Sequence, residues 1–308
     1  MARKDRDERP KKKGGIGNFI STLVIIVALA VFCYAGYQLI TIYFAYKAGT
    51  DEYNALEEDY VDGERQTGDF EEEMAENETM GEDEWGSAVL DEARATGGRP
   101  LQKMENPINF EELLEINTDI IGWLEMEAVN ISYPIVQGDD NDFYLHRTFR
   151  KQDNFAGSIF LDYINNPNFS NRNNIVYGHN MRNGSMFGIL KQYREQEKYD
   201  KSPYFWIYTP TRIYKYEIFA ASVVGTYSDS YKVAFADAND FQDFLDKAKK
   251  QTMIKTKATV NYRDTVVTLS TCTGDSSTRF IVQGKRVRTY ESIPKAGGYD
   301  DEPETEAK

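Results

Sequence analysis

One thiol, one imidazole and one guanidinium stand where this chain can do acyl-transfer chemistry. Cys272 closes the β-rich run Thr268-Leu269-Ser270-Thr271-Cys272, which passes directly into a Gly/Asp/Ser loop. A side chain at a strand end beside a loop is held firmly yet reaches a ligand. Alone, Cys272 reads as an inert core residue, because cysteine is among the most often buried types. His179 shifts the balance. It stands in Tyr177-Gly178-His179-Asn180-Met181, again where an apolar run ends and a loop with Gly178 and Gly184 begins. An imidazole beside a thiol can take its proton or stabilise the thiolate, and a free thiol is only a few per cent ionised at neutral pH. His146 is the one competing histidine, in Tyr144-Leu145-His146-Arg147. Arg279 precedes the apolar run Phe280-Ile281-Val282, and a hairpin would return it beside Cys272. A cation there suits an oxyanion formed during acyl transfer. Arg286 and Arg288 are alternatives further along the same run.

The elements that must position these groups are mostly strands. Residues 121–124, 131–137, 158–161, 174–177, 266–269 and 280–287 read as short strands, with Pro134 marking an edge or bulge. Tyr214, Tyr216, Ile218 and Ala220 alternate with Lys215, Glu217 and Phe219, the period of a half-buried strand. Helices are expected at 110–116, 185–193 and 239–250; in the last, Phe241, Phe244, Leu245 and Ala248 share one face. Many short strands separated by turns point to a closed barrel or a sandwich.

The N-terminus adds a different element. Residues 1–13 hold seven Lys or Arg against three acids, and residues 14–46 hold no charged side chain. Such an apolar run exceeds the roughly 20 residues a helix needs to cross a bilayer. Ala28-Leu29-Ala30 resembles a signal-cleavage site, but cleavage there leaves an apolar, aromatic end from Val31 to Tyr46. The reading is therefore an uncleaved anchor, with the basic arm 1–13 cytoplasmic and everything after Lys47 outside. Cys33 lies in this segment as a small apolar residue, so Cys272 has no disulfide partner in the outer part.

The net charge of −14 has a local origin. Residues 51–92 carry eighteen acidic side chains and one basic, Arg65, whereas residues 93–290 carry 25 basic and 23 acidic. That net charge argues against nucleic acid as the main partner, since phosphate binding needs clustered cations. Two cysteines and two histidines leave no Cys/His zinc cluster. Asp139, Asp140 and Asp142 lack the glycine and terminal glutamate of a calcium loop, so no metal or other cofactor is expected. The expected organisation is a basic arm 1–13, an anchor 14–46, an acidic linker 47–99, a folded domain 100–290 and an acidic tail 291–308, with ordered packing starting near Pro100.

These motifs together resemble the sortase family. Thr268-Leu269-Ser270-Thr271-Cys272 is similar to the sortase T-L-x-T-C signature, and Tyr177-Gly178-His179 resembles the histidine motif of its class B. Arg279 before an apolar strand matches the family's arginine. The helical segment before the barrel and the helix at 239–250 between late strands also resemble class B, and no Asp-Pro-aromatic lid of the pilin type is found.

The resemblance implies a closed sortase-type β-barrel with an N-terminal helical extension, preceded by one transmembrane helix. It implies a membrane-anchored, extracellular cysteine transpeptidase of a thick-walled bacterium. Such an enzyme cleaves a sorting signal through a Cys thioester and passes the acyl group to a peptidoglycan-precursor or pilin amine. Cys272 would be nucleophile, His179 acid–base and Arg279 the holder of oxyanion or substrate backbone. Asn141, Tyr177 and Ser270 would contact substrate: Asn141 by its place in the class, the other two by preceding His179 and Cys272 by two residues in a strand. Asn141 is equally an ordinary helix cap. Two rivals remain. A papain-like hydrolase places its cysteine before its histidine, the reverse of this order. A tethered binding module needs no Cys272, and thiol alkylation separates it from either enzyme.

Overall fold

The computed structural model describes residues 16–62 and 100–295. The predicted basic arm, residues 63–99 of the predicted linker and residues 296–308 of the predicted tail lie outside the described residues. The chain divides into two compact units, Met1–Ala48 and Gly49–Lys308.

Helix α1 (Ile16–Tyr60) begins in the first unit, in a largely apolar run whose few polar side chains bond within the helix, as Gln38 Nε2 does to the Tyr34 hydroxyl at 2.7 Å. Its large apolar side chains from Phe19 to Phe44 are exposed. Its most apolar window has a mean hydropathy of 2.4, and the helix is long and apolar enough to cross a membrane.

The second unit starts earlier than the predicted boundary near Pro100. Residues 49–60 are the last turns of α1, and Tyr53 and Leu56 on one face are buried in this unit. Val61 then bridges Ile108, and the Asn109 N–H donates to the Tyr60 carbonyl at 3.0 Å. The acidic composition hides this docking. Two apolar anchors three residues apart bury one stripe while Asp51, Glu58 and Asp59 stay exposed.

The remaining elements form one sheet. Its strands are β1 (Lys103–Glu105), β2 (Ile120–Met126), β3 (Ile131–Val136), β4 (Ile159–Leu161), β5 (Asn173–Tyr177), β6 (Tyr204–Tyr208), β7 (Arg212–Gly225), β8 (Val266–Cys272) and β9 (Thr278–Ile293). Helix α2 (Phe110–Ile116) precedes β2, α3 (Gln196–Lys201) precedes β6, and α4 (Ala238–Gln251) lies between β7 and β8. The order β1-β9-β7-β6-β2-β3-β4-β5-β8 closes on itself because β9 pairs with both β7 and β8. The result is a closed barrel of eight strands, with β1 attached in parallel to the end of β9. Closure leaves few unpaired edges for aggregation. Pro134 fits because the β3–β4 pairing starts only at Ile135.

Several sequence expectations are corrected. Residues 185–193 do not form an α-helix. Met186 takes a left-handed φ of 53° and bridges back to Asn180, and only a 3-10 turn forms, over Leu190–Arg194. Strand β1, only three residues long, and β6, an aromatic run without clean alternation, stand outside the expected set. Strand β9 continues to Ile293 through its pairing with β1, beyond the predicted domain end at 290. Strand β7 alternates only in its first half. From Phe219 to Ser222 it is buried on both sides, where Phe241, Phe244, Leu245 and Ala248 of α4 pack on its outer face, and Val223 is exposed again. Helix α4 starts where the Asp237 side chain accepts from the Asp240 N–H at 2.9 Å.

Candidate active site

Strands β5 and β8 are parallel neighbours, and their last registered pair is Tyr177 with Ser270. Parallel strands leave a sheet at the same edge. One residue on, the Gly178 N–H donates to the Ser270 carbonyl at 3.1 Å. One further residue along each strand stand His179 and Cys272. The barrel thus brings together two side chains 93 positions apart in the chain. Across the β8–β9 hairpin, Cys272 is registered opposite Arg279. Facing residues of an antiparallel pair point to one side of the sheet. Arg286 and Arg288 lie instead opposite Tyr216 and Lys215 of β7, away from this edge.

The surroundings fix each group. The Arg279 Nη1 donates to the carbonyls of Ser276 and Thr278 at 3.1 and 2.9 Å. Nε and Nη2 make no hydrogen bond among the described residues, so the other side of the planar fork is open. His179 Nε2 lies 2.7 Å from the Leu145 carbonyl oxygen. A carbonyl only accepts, so Nε2 carries the proton, and in the neutral ring Nδ1 is the basic atom. Burial holds the His179 pKa below the ordinary imidazole value of 6.5, opposed by the Leu145 bond and aided by His146. The ring is therefore neutral at physiological pH. His146 itself is exposed and pairs with Asp142 at 3.6 Å.

This geometry predicts a titration. Protonation is disfavoured in the folded state, so the stability held above pH 6.5 is lost as pH falls from there through the folded pKa. NMR titration of the His179 ring should give a midpoint below 6.5, and one at or above 6.5 contradicts the effect of burial. A second prediction concerns Gly178. A Cβ there would lie 2.5 Å from Ile159 Cδ1 and 2.7 Å from the Phe187 ring, both side chains fully buried. Gly178→Ala should lower unfolding stability by about 1–3 kcal/mol through overpacking, measurable by urea titration.

The predicted substrate contacts separate. Tyr177 is half-buried at the site edge, where its hydroxyl donates to Asp162 Oδ2 at 2.9 Å. Its pKa is raised by burial and by Asp162, with Arg279 opposing. Ser270 is buried, and its hydroxyl meets the Tyr231 hydroxyl at 2.8 Å. Asn141 is not a helix cap. Its Oδ1 accepts from the Tyr163 N–H at 3.1 Å, while Asp140 Oδ1 accepts from the N–H groups of Asp142 and Phe143.

Tyr231 is the group the sequence reading missed. It stacks on Tyr177 at 6.3 Å and 16°. Burial raises its pKa, with the Ser270 bond and Arg279 opposing and Cys272 adding to the rise. It enters from a 3-10 turn, Asp229–Tyr231, whose Ser228 cap is legible in sequence but whose destination is not. The edge of the barrel thus carries a thiol, a neutral imidazole, an open guanidinium fork and two stacked phenols.

The family model for the sortase domain matches residues 124–287. Sortase B of Listeria monocytogenes is 36% identical over 215 residues, covering 67% of this chain and 87% of that protein. The X-ray structure of Clostridium perfringens sortase B superposes with a TM-score of 0.55 at 33% identity, covering 58% of this chain and all of that one. A crystal structure of sortase B complexed with triglycine gives a TM-score of 0.56 at 32% identity, covering 58% and 85% of the two chains. The chain belongs to the sortase family, whose members are cysteine transpeptidases. Within that family it is a class B sortase.

Proposed function

We propose that Cys272, His179 and Arg279 carry the transpeptidation, and that the enzyme works at the outer face of a membrane. The supporting observation is the convergence of strands β5, β8 and β9, which sets His179 and Arg279 on either side of Cys272. His179 Nδ1 takes the Cys272 thiol proton, and the thiolate so formed attacks the carbonyl carbon of a sorting-signal peptide. The C–N bond breaks, His179 delivers a proton to the departing amine, and a thioester remains. The open side of the Arg279 guanidinium donates to the oxyanion or to the peptide backbone. An incoming amine, from a cell-wall precursor or a pilin, then attacks the thioester, gives a proton to His179 and expels the thiolate. Burial of His179 favours this second step, because a neutral ring is ready to accept.

Tyr177 stays at the rim as a substrate contact. Asn141 keeps its side-chain N–H₂ for a peptide carbonyl, its oxygen being held by Tyr163. Ser270 is assigned to holding Tyr231, since its hydroxyl is buried in that bond. Helix α1 serves as the anchor. Its exposed apolar surface needs hydrocarbon around it, and the seven cations of residues 1–13 favour a cytoplasmic start.

The test uses the full chain in detergent micelles, since residues 49–62 belong to the folded unit. A library of Pro-x-Thr peptides is added and the intact mass is followed, with triglycine supplied afterwards. The triglycine bound to a sortase B of the same fold makes that peptide a reasonable first acceptor. An adduct that transfers to triglycine supports the reading. An adduct released only by water favours a hydrolase, and no adduct with any peptide counts against the assignment of Cys272.

A further inference from the structure

Tyr53, on the last turns of α1, stands between the two loops that flank His179. Its ring is buried, and its hydroxyl donates to the Gly157 carbonyl at 2.7 Å and accepts from the Phe149 N–H at 3.2 Å. The same hydroxyl lies 3.1 Å from Ser158 Oγ, whose own proton goes to the Arg147 carbonyl at 2.8 Å. These bonds tie residues 144–149 to residues 157–158, and the Ser158 N–H adds a bond to the Tyr144 carbonyl at 2.9 Å. Leu145 lies inside this block and presents its carbonyl to His179 Nε2. Gly157 makes the block tight: its φ is +59°, and an added Cβ would lie 2.6 Å from the Leu145 oxygen. A second arm runs through the Tyr53 ring. It meets Tyr133 edge-on at 5.4 Å, and the Tyr133 hydroxyl accepts from the Met186 N–H at 3.0 Å. Met186 bridges Asn180, and the next N–H, Phe187, donates to the His179 carbonyl at 3.0 Å.

We propose that Tyr53 is a positioning residue for His179: the docked end of α1 holds both the carbonyl that orients the imidazole and the turn that carries its backbone. The proposal rests on the reading of His179 as the acid–base group. Its consequence is that the segment following the apolar helix is part of the catalytic apparatus and not a spacer. Removing it would leave the barrel closed and the imidazole poorly aimed.

The experiment compares Tyr53→Phe, Gly157→Ala and Ile207→Val with the parent full chain in detergent micelles. Two quantities are read: the acylation rate with a Pro-x-Thr peptide found by the mass screen, and the His179 Nε2–H signal in ¹⁵N-histidine NMR. Losing one buried hydrogen-bonding hydroxyl should slow acylation about fivefold with KM little changed. The Nε2–H signal should shift and exchange faster in both Tyr53→Phe and Gly157→Ala. Ile207→Val opens the core at β6, across the barrel from β5 and β8, so it should lower the melting temperature and leave signal and rate alone. A parental rate and signal in Tyr53→Phe, beside an inactive His179→Ala, overturns the proposal alone. Full activity of His179→Ala instead overturns the acid–base reading beneath it.

Discussion

Cys272→Ala is expected to yield a folded protein that forms no covalent adduct with any sorting peptide. In the proposed mechanism the acyl group is held on the Cys272 sulfur, and an alanine side chain offers no nucleophile in its place. Turnover should fall by at least about 10⁴-fold, roughly 5 kcal/mol of barrier. Stability should change little, because Cys272 is only half-buried at the end of β8 and its strand partners bond through the backbone. Intact-mass spectrometry gives the first quantity and thermal unfolding the second. An adduct that persists in the variant places the nucleophile elsewhere.

His179→Ala is expected to come next in size, lowering kcat/KM by about 10²–10⁴-fold, the range found for general acid–base groups. Both half-reactions should suffer, since in the proposed mechanism the same ring protonates the leaving amine and deprotonates the incoming one. Adding the peptide and triglycine steps separately in stopped-flow measurements separates the two losses. His146→Ala is the matched control. The exposed His146 ring pairs with Asp142, a surface pair contributing about 0–1 kcal/mol, and acts on His179 only as the smallest of three influences, so its removal should leave the rate close to parental. A dead His146→Ala beside an active His179→Ala reverses the assignment of the base.

The two variants also bear on how the site is built. His179 depends on contacts from three separate segments: Gly178 packed against Ile159 and Phe187, the Leu145 carbonyl at its Nε2, and the turn closed by Met186. Cys272 ends a strand paired on both sides, with β5 up to Ser270 and with β9 at Arg279. Distant substitutions should therefore disturb the imidazole before they disturb the thiol.

The amino-acid sequence by itself determined the chemistry-bearing local units. The Thr268 to Cys272 run, the Tyr177-Gly178-His179 turn and the apolar run after Arg279 each declare a strand end beside a loop, because alternation and glycine act over neighbouring residues. The stripe of Phe241, Phe244, Leu245 and Ala248 declares α4 for the same reason, and residues 14–46 declare an apolar helix through composition alone. Tertiary structure decided what lies beside what. The parallel pairing of β5 with β8, between strands far apart in the chain, follows from closure of the barrel and leaves no periodic trace in either strand. Tyr231 reaches Ser270 across 39 residues, from a turn whose own sequence specifies only its cap. Tyr53 and Leu56 look like stray apolar residues in an acidic stretch, because docking one helix face needs only two anchors and a complementary surface. That surface is assembled from residues 133, 149 and 156–158, and it exists only once the chain has folded.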